Sequence, residues 1–138
     1  MSIFSIFDIA GSGMNAQSVR LNIVASNLAN VESAASSPAQ AYRARNPVFA
    51  TMMKEQFGDD PAAVGVKVTK VIQSQAPIGQ RYAPDNPLAD KDGYIYLSNV
   101  NAMEEMANMI SASRSYQQNV EVIETAKQLY MRTLMLGQ

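Results

Sequence analysis

From Asn101 to Leu136 the chain reads NAMEEMANMISASRSYQQNVEVIETAKQLYMRTLML, with neither Gly nor Pro. Apolar residues recur there in steps of three and four. Ala102, Met106, Met109, Tyr116, Val120, Ile123, Tyr130 and Leu134 form the series, and Ser113 and Lys127 fill its two gaps. This spacing predicts one long helix with a single apolar stripe. Asn101 can cap its start, Glu104 holds the capping-box position and Glu105 adds a second acid to the first turn. Lys127 and Arg132 lie toward the other end, where Gly137 is a ready stop. A helix of about 35 residues is about 50 Å long. A compact chain of this size has a radius of gyration of only about 14 Å. The helix must therefore overhang the rest, and an overhanging apolar stripe needs a partner.

A second helical pattern covers Ser2 to Val31. Phe7, Ala10, Met14, Leu21, Val24, Leu28 and Val31 fall on one heptad seam with Gln17 as its only polar member, and Ile3 and Phe4 add bulk in front. Gly11 and Gly13 each weaken such a helix by about 1 kcal/mol relative to Ala. They fit a small-residue surface where another helix comes close, or a local kink. No strand precedes them and no Lys follows in frame, so they do not make a phosphate loop. The helix ends in NIVASNLAN, where Asn27 and Asn30 are poor interior residues and good caps. Their amides either cap the chain and face solvent, or bond the backbones of neighbouring chains.

Between the helices the pattern changes. Glu32 to Asn46 reads as a loop, with Tyr42 to Arg45 extended before Pro47. PVFATMMKEQFG, from Pro47 to Gly58, carries Phe49, Met52, Met53 and Phe57 and fits a strand or one short helix equally. Asp59, Asp60 and Pro61 mark a turn. VGVKVTKVIQ, from Val64 to Gln73, is the best strand in the chain, with Val64, Val66, Val68 and Ile72 on its expected buried side. Gln75 to Asp92 is Pro- and Asp-rich and reads as an irregular loop. Asp92-Gly93 is a turn leading into a second strand, Gly93 to Leu97. Three regions follow: an N-terminal helix over 1–31, a loop and small β-rich middle over 32–100, and a C-terminal helix over 101–138. The expected fold is mainly α, a coiled-coil-like pair of long helices with a small irregular β segment.

Composition narrows the function. Of 138 residues none is Cys, His or Trp. Disulfides, thiol nucleophiles, Cys/His zinc sites and a Ser-His triad are excluded. The net charge is −1 without a basic block, so nucleic-acid binding has no electrostatic support. Hydrophobic residues make up 47% and charged ones only 17%, which suits a chain that buries surface on assembly. The start, MSIFSIFDIAGSG, has no basic region and is broken by Asp8, so it is a poor signal peptide. No apolar run is long enough for membrane insertion. Asp90-Lys91-Asp92-Gly93 resembles a calcium-loop fragment, but that register puts Leu88 at the first ligand and Asn99 at the last. Asp85 and Asp90 sit in a loop with no apolar pocket to tune them as catalytic carboxylates. Arg114 beside Tyr116 fits a cross-interface pair or a solvated face equally well. No cofactor, metal or catalytic residue is expected. The nine Met residues suit adaptable helix contacts.

FSIFDIAGSGMNAQSVRLNIVASNLAN at one end and EEMANMISASRSYQQNVEVIETAKQLYMRTLMLGQ at the other resemble the flagellar axial proteins, most nearly the proximal-rod type of the basal body. Asn27-Leu28-Ala29-Asn30 is similar to the family's Asn-x-Ala-Asn element, and Asn86-Pro87-Leu88-Ala89-Asp90 with Gly93-Tyr94 to its middle signature. Together these stretches span about two-thirds of the chain. VESAASSPAQAYRA departs from the Thr-Pro-Gly-Tyr element of many axial proteins and is similar to the rod subtype. The resemblance implies a structural subunit without enzyme activity. Its terminal helices would pack on each other and on neighbours to build a helical tube across the periplasm. That tube would transmit torque and enclose the export channel. Export would use the flagellum-specific type III route without a cleavable signal peptide. Implied partners are copies of itself, other rod proteins, export-gate or adaptor components of the basal body, and peptidoglycan close by.

The residues expected at subunit contacts are Phe7, Met14, Leu21, Val24, Asn27, Leu28 and Asn30 on the first helix. On the second they are Met106, Met109, Tyr116, Val120, Ile123, Tyr130 and Leu134. A stripe unfinished in the free chain implies ends that order only on docking. The same stripe would also serve a cytosolic helical adaptor or export chaperone of fixed stoichiometry.

Overall fold

The computed structural model describes residues 3–52 and 64–136. Met53, Phe57, Gly58, the turn at Asp59 to Pro61 and the stop at Gly137 lie outside the described residues, as do the side chains of Ile3 and Phe4. Helix α1 spans Ile3–Ala29 and helix α2 spans Ala102–Leu136. Between them lie strands β1 (Ala34–Ala35), β2 (Arg45–Thr51), β3 (Val66–Gln73), β4 (Gln80–Tyr82) and β5 (Tyr94–Leu97). Among the described residues helix makes up about 49% and strand about 20%, so the β part is larger than a mainly α reading implies.

The helices start and stop where their caps dictate. Asn101 Oδ1 accepts from the Met103 and Glu104 N–H groups at 3.1 and 3.4 Å, the geometry of an N-cap. At the end of α1, Asn30 Nδ2 donates to the Ser26 carbonyl at 2.8 Å, and the Asn30 N–H donates to the Asn27 carbonyl. Asn30 thus finishes its own helix.

The helices lie antiparallel. Arg20 meets Asn108 and Asn27 meets Glu105, while Gly13 lies against Asn119. The seam between them differs from the expected heptads. Ala10, Ala16, Val24 and Asn27 are the positions of α1 most removed from solvent, and Glu105, Ala112 and Ala126 those of α2. In α1 the seam shares Ala10, Gln17 and Val24 with the expected series. Its companion positions are Gly13, Arg20 and Asn27 in place of Met14, Leu21 and Leu28, each one residue earlier. In α2 it shares Met109, Tyr116 and Ile123, and uses Glu105, Ala112, Asn119 and Ala126 in place of Met106, Ser113, Val120 and Lys127. The bulky residues Phe7, Met14, Leu21 and Leu28 are only half-buried and flank the contact. The cause is steric: small side chains let the helices approach closely, and an added Cβ at Gly13 would stand 2.9 Å from Asn119 Nδ2.

The middle forms two small sheets. β2 and β3 pair antiparallel from Arg45↔Gln73 to Thr51↔Val66, with a bulge between Val48 and Phe49. As far as Thr51 the ambiguous stretch from Pro47 is therefore a strand, and a two-stranded ribbon, being all edge, tolerates the proline. Ser12 Oγ accepts from the Val66 N–H at 3.1 Å and donates to the Ile9 carbonyl at 2.7 Å, fixing the start of β3 to α1. The expected buried face of β3 is only partly realised. Val66 and Val68 are half-buried, but Val64 and Ile72 are exposed; among the described residues α1 packs on the ribbon, and it is held there at Val66.

The second sheet has the order β1-β5-β4 and centres on Ile95, which is fully buried. β1 and β4 arise in stretches that read as loops. The Asp92-Gly93 turn is present, with Gly93 at a φ of 82° that favours glycine. Asp90 organises it: Oδ1 accepts from the Asp92 and Tyr94 N–H groups, and Oδ2 from the Tyr96 hydroxyl at 2.9 Å. Asp90 is thus the acceptor of its own turn. The Tyr94 N–H above all, then the Tyr96 hydroxyl, hold its carboxyl below the ordinary aspartate pKa, against some desolvation.

Two outcomes follow from this packing. Gly11, with no atom near its missing Cβ, gives way to Ala with a gain of about 0.5–1 kcal/mol, while Gly13→Ala gains less because it displaces Asn119; urea midpoints check the order. A depressed carboxylate pKa contributes stability above the unfolded value of 3.8 that is lost as pH falls through the folded one. Carboxyl NMR titration should place Asp90 below 3.8, and Asp90→Asn should remove that acid-dependent loss.

Candidate assembly interface

The Asn-Leu-Ala-Asn element occupies the last turn of α1, and its first amide is at 0% exposure. An amide has two donor and two acceptor positions. Asn27 fills all four. Nδ2 donates to the Arg45 carbonyl at 2.9 Å and to Glu105 Oε2 at 3.0 Å. Oδ1 accepts from the Arg45 N–H and from the Tyr42 hydroxyl, each at 3.0 Å. Having donated its proton there, the Tyr42 hydroxyl accepts from Ser26 Oγ at 3.2 Å. The Arg45 guanidinium lies over the Tyr42 ring, 5.6 Å from its centre. Asn27 therefore matches neither expected role. It is not an exposed cap, and its bonds run to its own chain, because the chain returns through Tyr42 to Arg45 directly past the end of α1.

The interior of the helix pair is polar for a seam. Arg20 Nη2 donates to Asn108 Oδ1 at 3.0 Å, and the Gln17 Oε1 atom is buried with no hydrogen-bond partner among the described residues. Asn119 Nδ2 donates to the Ser115 carbonyl in its own helix at 2.9 Å. Val24 is buried within the chain, and Met109, Tyr116, Val120 and Ile123 are half-buried along α2.

Most of the other large apolar side chains of α2 point elsewhere. Met103 is 76% exposed, and Met106, Ile110, Val122, Leu129, Tyr130, Met131, Leu134 and Met135 are all exposed. Of the residues expected at subunit contacts on α2, Met106, Tyr130 and Leu134 are the exposed ones. Met103, Ile110, Val122, Leu129, Met131 and Met135 were not in the expected stripe, although Met103, Met131 and Met135 were marked as adaptable. The signal for the rest was in the sequence, in apolar residues off the a/d series. Ile6, Val122, Ala126 and Leu129 line an open groove along one side of α2. Arg114 is exposed beside the half-buried Tyr116. Among the described residues no three acidic side chains gather to hold a metal ion, and no helix is long and apolar enough to cross a membrane.

A close helix pair with the apolar bulk of one member turned outward is the architecture of a protein that assembles. Residues 7–32 match the family described as "Flagella basal body rod protein", and residues 91–136 match "Flagellar basal body rod FlgEFG protein C-terminal". Over 140 residues covering the whole of both chains, the sequence is 51% identical to the flagellar basal-body rod protein FlgC of Escherichia coli O6:H1. It is 50% identical over full length to that of Salmonella typhimurium and 44% to that of Buchnera aphidicola from Acyrthosiphon pisum. The chain belongs to the FlgC family of flagellar basal-body rod proteins and is a structural subunit of that rod. The adaptor or chaperone alternative finds no support among these relatives.

The Asn27 network should behave as one unit. Asn27→Ala leaves the Glu105 carboxylate and the Arg45 backbone groups without a partner and should cost about 2–4 kcal/mol. Asn27→Asp should cost more, since it sets a second carboxylate against Glu105, and Glu105→Gln should recover part of that loss. A double-mutant cycle by urea denaturation checks the coupling.

Proposed function

We propose that this subunit builds the rod through its terminal helices, docking them on equivalent helices of further copies and of other rod proteins. The tube so formed spans the periplasm, encloses the export channel and transmits torque as a passive shaft without catalysis. The chain reaches it by the flagellum-specific export route with no cleaved signal; export-gate or adaptor components of the basal body are further partners, and peptidoglycan lies close by. The β-containing middle faces outward.

One observation carries this reading: α2 meets its own partner with Ala and amide side chains and the half-buried Met109, Tyr116 and Ile123, and exposes Met103, Met106, Ile110, Leu129, Met131 and Met135. Each such side chain contributes about 1.5–3 kcal/mol when a neighbour covers it. The exposed residues sit on more than one side of the helix, so a patch on one copy meets a different patch on the next. Contacts of that kind do not close on themselves and extend as a helix of subunits.

Ile110→Glu tests it. Ile110 is exposed in the single chain, so the substitution should leave the circular dichroism spectrum unchanged. In a covered interface the buried charge costs several kcal/mol, about a hundredfold or more in docking, and rod formation and motility should be lost. Asp85→Ala, in an exposed loop, should swim normally. Normal motility of Ile110→Glu would contradict the role given to α2.

A further inference from the structure

Methionine supplies all the sulfur of this chain, because cysteine is absent. Its thioethers are therefore where a mild oxidant acts first. Among the described residues the methionines divide into two groups. Met14, Met52 and Met109 are half-buried. Met103 is 76% exposed, Met106 51%, Met131 48% and Met135 72%. At about 100° per residue, and taking Met103 as zero, these four stand at about 0°, 300°, 280° and 320°. They share one face of α2, about 80° wide, beside the seam rather than in it. Met103 and Met106 form a pair at one end of that face and Met131 and Met135 a pair at the other, about 37 Å apart. Between the pairs the same face carries Ser113, Gln117, Glu121, Glu124 and Gln128, with Ile110 its one other large apolar side chain. The face is apolar mainly because of its thioethers.

Each exposed thioether takes one oxygen atom from hydrogen peroxide. The sulfur lone pair forms an S–O bond and the O–O bond breaks. The proton on the transferred oxygen passes to the departing hydroxide, which leaves as water. Sulfur is oxidised by two electrons and the peroxide is reduced by two. A flexible apolar group becomes a polar sulfoxide. At the C-terminal pair, Met131 and Met135 share an open cleft with Lys127 and Arg132. A sulfoxide oxygen formed there gains cationic donors from its own helix, which favour the oxidised form.

We propose that Met103, Met106, Met131 and Met135 are a peroxide-sensitive modification site, and that their oxidation withholds the free chain from the rod. The chemistry needs only the exposure of the free chain; the consequence rests on the assembly role given above. Oxidised at all four positions, the face keeps Ile110 alone as a large apolar contact. A dithiol reductant reverses the change: the sulfoxide oxygen leaves as water and the two thiols become a disulfide.

The free chain is treated with dilute hydrogen peroxide and read by peptide mass spectrometry. The four positions should gain sulfoxide at least about fivefold faster than Met14 and Met109, with an unchanged circular dichroism spectrum, since oxidation follows access. Equal rates would overturn the site. In purified basal bodies the four should react at least about tenfold more slowly than in the free chain. Loss of that protection would remove the assembly role from this face and the consequence with it. Met103→Gln, Met106→Gln, Met131→Gln and Met135→Gln combined, the amide standing in for the sulfoxide, should abolish swimming. The same four positions changed to Leu should retain it. Cells regrowing flagella in sublethal peroxide should recover swimming at least about threefold faster with the Leu variant than with the native chain. A swimming Gln variant, or equal recovery of the Leu variant and the native chain, overturns the proposal. The assembly role then stands or falls separately, on the protection seen in basal bodies.

Discussion

A single buried amide holds three parts of this protein in register. Asn27 bonds the backbone of Arg45 through both its N–H and C=O and reaches the Glu105 carboxylate on the facing helix. No apolar residue could replace it, because two backbone groups and a carboxylate would be left buried without partners. The network fixes the last turn of α1 against the first turn of α2 and directs the chain from Tyr42 into β2. Once that end is set, helix periodicity decides which face of α2 looks at α1 and which faces look out.

The helix pair inverts the usual distribution of side chains. Its interior is built largely from Ala10, Gly13, Ala16, Ala112 and Ala126 with amides between them and Val24, Met109, Tyr116 and Ile123 beside them, and its exterior carries most of the other Met, Ile and Leu side chains of α2. Small residues bury little area each, so the hydrophobic gain from pairing within one chain is modest. The larger gain is available only when neighbours cover α2. That arrangement suits a subunit of a rod. Ser12, by joining α1 to β3, keeps the β segment fixed to the helices.

Much of this was legible in the residues. The lengths of both helices, the Asn101 cap, the strand at Val66–Gln73 and the Asp92-Gly93 turn follow from spacing and turn chemistry. The exact packing faces were not. A heptad pattern rewards bulky apolar residues; here Val24, Met109, Tyr116 and Ile123 keep their places, but the others flank the seam or leave it, and Gly13, Asn119 and Ala112 take their positions. Nothing local marks β1, a pair of alanines, or β4; both exist because β5 pairs with them. Asn27 looked like a cap because asparagine near a helix end usually is one. Its partners Arg45 and Glu105 lie 18 and 78 residues away, beyond the reach of any local pattern.

The central claim is that the chain keeps its small, polar seam to itself and gives its bulky apolar faces to others. Tracing this chain in an image of the intact basal body tests it most directly. The account predicts that Asn27 and Glu105 remain bonded within one subunit while Met103, Met106, Ile110 and Met131 lie against neighbouring helices. An α1–α2 seam exchanged between subunits, or those methionines and Ile110 facing open solvent, would contradict it.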